Sequence, residues 1–304
     1  MSWKAVLSFV LVLIVIVILL VYWVFPYNQI EFGFSDPGHS NFTLNSSLGD
    51  SMQFYENMRY PNSDISYRID DCPLGKKDEM ERAINYVEAS TVLNFYEVSS
   101  NEEISITCDD EIKHTGELFV AGEGGVTNVT ITNNFNVILK GEVLLLRESE
   151  CSTPIVGTHE LLHALGFDHS DNRNNIMYPT VRCDQTIGED TINFINTIYS
   201  YPTQPDLSFE EASASISGRY LDVTMTIRNN GLAQTEESKV IVYGDGKSLK
   251  EFDIEPIGIG QGKIITLTNI LVLQTSVDEI QLSLEYDPEE LRKDNNQITL
   301  EIKN

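Results

Sequence analysis

A chain of 304 residues with 46 acidic and 20 basic side chains carries a formal charge of −26, and it holds no Lys/Arg cluster, so nucleic acid is excluded as a partner. With 41% apolar residues it can bury a core, and its length suits about two domains. The acidity reads as a solvated surface and is compatible with Ca²⁺.

The first element is the uncharged run from Ala5 to Phe25. At about 1.5 Å per residue a helix of this length crosses a hydrocarbon core of roughly 30 Å. Tyr22, Trp23 and Phe25 form an aromatic belt, and no small-x-small cleavage site follows, so a retained anchor is expected rather than a cleaved signal. Lys4 on one flank, with Glu31 and Asp36 on the other, keeps the N-terminus cytoplasmic and exports the rest. The expected location is therefore the cell membrane, single-pass, with everything after residue 26 outside the cytoplasm.

Residues 27–63 are rich in Asn, Ser, Gly and Pro and read as a juxtamembrane spacer. A first folded domain is expected over 64–203. It opens with a strand at Ile65–Ile69, followed by an amphipathic helix over Lys76–Phe95 with Met80, Ile84, Val87, Thr91 and Phe95 on one face. Strand-like runs come next at Leu93–Val98, Ile104–Cys108, Leu118–Ala121 and Val137–Leu146. Gly122, Gly124 and Gly125 suggest a bulge or an open edge, or else an ordinary loop. A helix packed on a mostly parallel sheet is implied. Cys72, Cys108, Cys151 and Cys183 lie in this stretch without a CxxC pair, and export favours two disulfides. Three connectivities are open; the sequential one, Cys72 with Cys108 and Cys151 with Cys183, is expected, against four buried thiols. Sequons at Asn41, Asn45 and Asn128 are compatible with an external surface.

Three of the five histidines stand in His159-Glu160-Leu161-Leu162-His163-Ala164-Leu165-Gly166-Phe167-Asp168-His169. A spacing of four puts His159 and His163 on one helical face, as two ligands of one ion require. Thr153 is expected to cap that helix and Pro154 to occupy its first turn. Gly166 ends it by adopting a left-handed conformation, so that His169 approaches from another direction. Three imidazoles leave a fourth position for water, the open arrangement of a catalytic Zn²⁺ site. Glu160, rotated about 100° from His159, is placed to act as general base on the metal-activated water rather than to ligate. Met177, in Ile176-Met177-Tyr178-Pro179, is expected to pack beneath the ligands.

Residues 204–304 divide into short alternating segments near 207–212, 220–228, 239–243, 249–254, 264–272, 280–286 and 297–302, separated by turn signals such as Asn229-Asn230-Gly231 and Gly244-Asp245-Gly246. Seven short strands in such a length suit a β-sandwich. Its spacing and its Arg-Asn-Asn-Gly-Leu-Ala stretch at 228–233 resemble the CARDB type of immunoglobulin-like surface module.

The histidine motif together with the turn at Met177 resembles the metzincin metallopeptidases. His-Ala-Leu-Gly, Ser170 after the third histidine, and Met-Tyr-Pro at 177–179 are similar to a matrixin, over roughly residues 64–201. The resemblance implies an α+β peptidase domain, a twisted mixed sheet with an active-site helix, followed by the all-β immunoglobulin-like sandwich and preceded by one transmembrane helix. It implies His159, His163 and His169 as ligands of one catalytic Zn²⁺, Glu160 as general base and Met177 as the Met-turn residue. It further implies that Leu118, Phe119, Val120, Ala121 and Gly122 form the sheet edge that pairs with an extended substrate. Tyr178 and Pro179 open the wall at 178–187 around the pocket for the side chain after the cut bond, and residues 188–199 form a closing helix. Two family features are not expected: a cysteine segment that blocks the zinc, and a second, structural zinc, for which the strand region offers only His114. The expected function is a membrane-anchored, extracytoplasmic zinc endopeptidase acting on protein or peptide substrates. The competing expectation is a surface adhesion protein in which the sandwich engages a partner and the zinc domain is dispensable.

Overall fold

The computed structural model describes residues 3, 11, 12, 14, 15, 30–34, 52–115, 118–273 and 277–302. Among them no helix is long and apolar enough to cross a membrane. Within the expected anchor, Leu11, Val12, Ile14 and Val15 are helical and exposed, and the remainder lies outside the described residues. Asn41 and Asn45 also lie outside them, whereas Asn128 is exposed on a strand.

The first folded unit is built on strands β1 (Ile30–Phe34), β2 (Met58–Arg59), β3 (Asp64–Asp70), β4 (Asn94–Glu97), β5 (Ile104–Cys108), β6 (His114–Thr115), β7 (Leu118–Ile131) and β8 (Asn136–Leu145). Its sheet runs β1-β7-β8-β5-β3-β4, with β2 added to β8 and β6 to β7. β8, β5, β3 and β4 are mutually parallel, while β7 runs antiparallel to β8. Helices α1 (Leu74–Ser90), α2 (Ile155–Ala164) and α3 (Glu189–Ile198) complete it. α1 presents Met80, Ala83, Ile84 and Val87 to the core at helical spacing. The core they enter contains Ile104, Ile106, Val143, Leu145, Leu161 and Leu162.

Three sequence expectations are corrected here. The helix expected to reach Phe95 stops at Ser90, because Thr91 is extended and Phe95 belongs to β4. The strand expected at Leu118–Ala121 continues through its glycines to Ile131. The 27–63 stretch contributes more than a spacer: residues 52–60 pack against the domain, with Met58, Arg59 and Tyr60 fully buried. The two disulfides join Cys72 to Cys108 and Cys151 to Cys183.

The second unit is a sandwich of a three-stranded sheet and a four-stranded sheet. The first contains β9 (Leu207–Ser217), β10 (Tyr220–Asn229) and β13 (Gly262–Leu271), in the order β13-β10-β9. The second contains β11 (Ser238–Gly244), β12 (Lys247–Ile254), β14 (Glu279–Glu285) and β15 (Gln297–Glu301), in the order β12-β11-β14-β15. Alternate residues of β10, namely Leu221, Val223, Met225 and Ile227, are fully buried, as a half-buried strand requires. The two units meet through an apolar patch of Phe135, Val137, Ile198 and Leu232. Asn134 donates to Asp206 across it (3.0 Å), and Arg59 donates to the carbonyls of Ile198 and Tyr201 at the connecting segment.

Candidate metal centre

Helix α2 is buried along its whole length. The expected Thr153 side-chain cap is not formed; the Thr153 carbonyl accepts from Ile155 N–H, and the helix has no side-chain cap of its own sequence. A carboxylate from α1 substitutes: Glu79 lies 3.3 Å from the Gly157 N–H and 3.1 Å from the Ser149 hydroxyl. An acidic group suits the positive end of a helix. Burial raises the Glu79 pKa from its ordinary value, with the Gly157 amide, Ser149 and Arg82 opposing.

At the other end, Gly166 takes φ +92, in the left-handed region that glycine enters without cost. The chain therefore turns, and His169 comes back toward His159 and His163. The ligand nitrogens of the three rings all lie within 4.8 Å of one another. His159 Nδ1 is 2.7 Å from the Ile176 carbonyl and His163 Nδ1 is 2.7 Å from the Phe167 carbonyl. A carbonyl only accepts, so the proton sits on Nδ1 in both rings and Nε2 is left as an acceptor. The two Nε2 atoms nonetheless face each other at 2.9 Å, and His169 Nε2 stands 3.3 Å from that of His163. Lone pairs brought this close repel, and a shared cation resolves the repulsion. Burial lowers the pKa of all three rings, that of His163 to about 3 with the His169 charge contributing further. Neutral imidazole is the form that ligates a metal.

Glu160 is completely buried, and neither of its carboxylate oxygens has a hydrogen-bond partner in the protein. Burial first, then the charge of Glu123, holds its carboxyl well above the usual carboxylate range; the nearby Gly124 amide pulls the other way without reaching hydrogen-bond geometry. An orphaned buried carboxylate is costly unless water or a ligand supplies the missing donor. Three convergent imidazoles beside such a carboxylate therefore fit a zinc ion. No other group of three or more potential His, Cys, Asp or Glu ligands occurs among the described residues. His114 is an exposed residue whose ring lies against that of Phe119 at a tilt of 44°.

Met177 is buried, with the turn around it held by Asn175, whose side chain accepts from Met177 N–H at 2.9 Å. Ser170 N–H donates to the Met177 carbonyl, tying this turn to the third histidine. Tyr178 and Pro179 follow, half-buried. The wall at 178–187 is organised by the buried Gln185, which donates to the carbonyls of Thr180 and Arg173, and is fastened to the segment before α2 by Cys151–Cys183. A cavity of about 390 Å³ opens beside His169, bordered by Met52, Asp168, Met177 and Asp190. Of the expected substrate edge, Val120, Ala121 and Gly122 are buried and Phe119 is half-buried under the Arg147 guanidinium; the Leu118 side chain lies outside the described residues.

Sequence reading missed four contributors. Phe54 stacks on His163 with ring centroids 5.7 Å apart. Gln185 and Glu79 organise the surroundings, and Gly124 lies against Glu160. A Cβ at Gly124 would fall deep inside contact distance of the Glu160 carbonyl oxygen, and one at Gly122 would stand 2.7 Å from Glu160 Cγ. Gly124→Ala is expected to push α2 off the sheet. It should cost about 1–3 kcal/mol of stability, the range of core overpacking, and lower activity more than about tenfold; an unchanged melting temperature with unchanged kcat/KM would contradict this close approach.

With the geometry in place, comparison with known proteins decides the family. The matrixin (peptidase M10) family model matches residues 59–200 and the CARDB model matches residues 204–300. Residues 59–200 are a matrixin domain. The protein is thereby a zinc metalloendopeptidase whose matrixin domain is followed by a CARDB domain. No curated protein matches the chain. Among solved structures, the chain is similar to the crystal structure of the CARDB domain of the PF1109 protein from Pyrococcus furiosus in complex with di-metal ions, at 20% identity over 33% of this chain and 90% of that one, TM-score 0.28. The solution structure of the same domain gives 20% identity over 33% and 95%, TM-score 0.26. Myroilysin is similar at 11% identity over 46% of this chain and 82% of its own, TM-score 0.32.

Proposed function

We propose that the matrixin domain hydrolyses peptide bonds in extended protein segments outside the cytoplasm, held at the membrane by the N-terminal apolar run. His159, His163 and His169 hold one zinc ion and Glu160 is the general base. The observation that carries this reading is the convergence of three Nε2 atoms beside a buried carboxylate that no protein group satisfies. Zinc, when bound, lowers the pKa of water and polarises the scissile carbonyl. The protein groups do the rest. The Ile176 and Phe167 carbonyls fix two imidazoles in orientation and tautomer. Glu160, kept basic by its buried setting, takes the proton of the attacking water and delivers it to the leaving amine. The outer edge of β7 offers backbone donors and acceptors to an extended substrate.

The uncharged Ala5–Phe25 run with its aromatic belt supports a single-pass anchor, and two disulfides are consistent with an oxidising compartment outside the membrane. The CARDB domain is assigned the role of spacer or partner-binding module.

Hydrolysis of a generic protein substrate is expected to vanish on treatment with a chelator and to return with one equivalent of Zn²⁺. Cleavage that persists in metal-free protein would overturn the reading.

A further inference from the structure

Two glycines bring α2 against its neighbours. On one flank Gly157 lies so close to α1 that an added Cβ would stand 3.0 Å from Ala83 Cβ and 3.1 Å from Met80 Sδ; on the other, Gly124 of β7 abuts the Glu160 backbone. A contact made through glycine has no side-chain ridge to resist sliding along the helix axis. Glu79 supplies that resistance at the helix start. Its carboxylate is only 1% exposed and lies 3.3 Å from the Gly157 N–H in the first turn. The same carboxylate is 3.1 Å from the Ser149 hydroxyl and 3.1 Å from Arg82 Nη2, while Arg82 Nη1 donates to the Ser152 carbonyl at 3.0 Å. α1 thus grips α2 together with its lead-in at 149–153, whose Cys151 is bonded to Cys183 in the pocket wall.

We propose that Glu79 is a positioning residue of the peptidase: by holding the first turn of α2 it sets where His159 and Glu160 stand along the helix axis, and so where ligand and base meet the scissile bond. This rests on the reading of His159 as a ligand and Glu160 as the base. A helix advances about 1.5 Å per residue as a stiff rod, so a shift of its first turn passes on to His159 and Glu160, two and three residues beyond Gly157. A misplacement of about 1 Å can lower a rate by about 10²-fold. Water does not take over the carboxylate's part, because the start of α2 is buried and its amides must be satisfied by protein groups.

The test uses the full chain, solubilised in detergent and loaded with zinc, with three substitutions assayed well below the melting midpoint and kcat referred to bound metal. Glu79→Gln keeps an acceptor within reach of Gly157 but loses the charge; Glu79→Asp keeps the charge but draws it back by one methylene; Glu79→Ala removes both. For an extended fluorogenic peptide, kcat is expected to stay within about fivefold of wild type in Glu79→Gln and to fall about ten- to hundredfold in Glu79→Asp and Glu79→Ala, with KM unchanged. The visible spectrum of Co²⁺ bound in place of Zn²⁺, which reports ligand geometry, shifts in the same two variants and not in Glu79→Gln. A role in stability alone would lower the melting temperature and leave both kcat and the cobalt spectrum as in wild type. That result overturns the proposal, read from Glu79→Asp if Glu79→Ala does not fold. If wild type binds Co²⁺ but cuts no peptide, the peptidase reading fails, and the cobalt spectra still decide whether Glu79 places the ligands.

Discussion

Glu160→Gln is expected to lower kcat/KM by about 10²–10⁴-fold, the usual contribution of a positioned general base, while the protein still binds one equivalent of zinc. Gln keeps the shape of the side chain between α2 and the glycines of β7, but its carboxamide cannot take a proton. The wild-type carboxylate is buried with no partner in the fold, so replacing it with a neutral group should not lower the melting temperature of the zinc-free protein. Three measurements decide the matter together: metal content, peptide hydrolysis and thermal midpoint. Hydrolysis at the wild-type rate in a zinc-loaded Glu160→Gln preparation would remove Glu160 from the chemistry, and loss of zinc would mean that it ligates.

His163→Ala is expected to lose both metal and activity. His163 holds the central position, its Nε2 being 2.9 Å from that of His159 and 3.3 Å from that of His169. Removing it leaves two donors, and the affinity loss should exceed the roughly 10–100-fold that follows loss of a ligand's outer hydrogen-bond partner. The variant also opens a cavity beneath Phe54, which stacks on this ring. Added zinc should raise the melting temperature of wild type and leave that of His163→Ala unmoved, because a ligand stabilises only a fold that binds it. A zinc-dependent shift of equal size in both proteins would exclude His163 as a ligand.

The convergence of His159, His163 and His169 was legible in the sequence because its information is local. A spacing of four, a glycine after the last turn and a histidine three residues on are short-range facts, and the structure adds Gly166 at φ +92 to the same account. The sandwich was legible for a related reason: alternation with period two runs the length of β10 and β15. What could not be read depends on contacts distant along the chain. Met58 and Tyr60 lie in a stretch whose Asn, Ser, Gly and Pro content suggests a spacer, yet Tyr60 donates to the Ala164 carbonyl across 104 positions of sequence. The glycines at 122 and 124 suggest a bulge, an open edge or a loop until Glu160 is seen against them, its side chain at Gly122 and its backbone at Gly124. Glu79 reads as an acidic residue near the start of its own helix, suited to that helix's dipole, and only the fold brings it to the first turn of α2. Thr153 was the natural local choice of cap, and a distant carboxylate took the role instead.

The patch of Phe135, Val137, Ile198 and Leu232 has a consequence for anyone who dissects the molecule. Separating the two units would bare apolar surface on both fragments and part the Asn134 amide from the Asp206 carboxylate that accepts from it. Each half, made alone, would be prone to stick to itself. The intact chain shields on each unit the apolar surface that a separated fragment would expose to water.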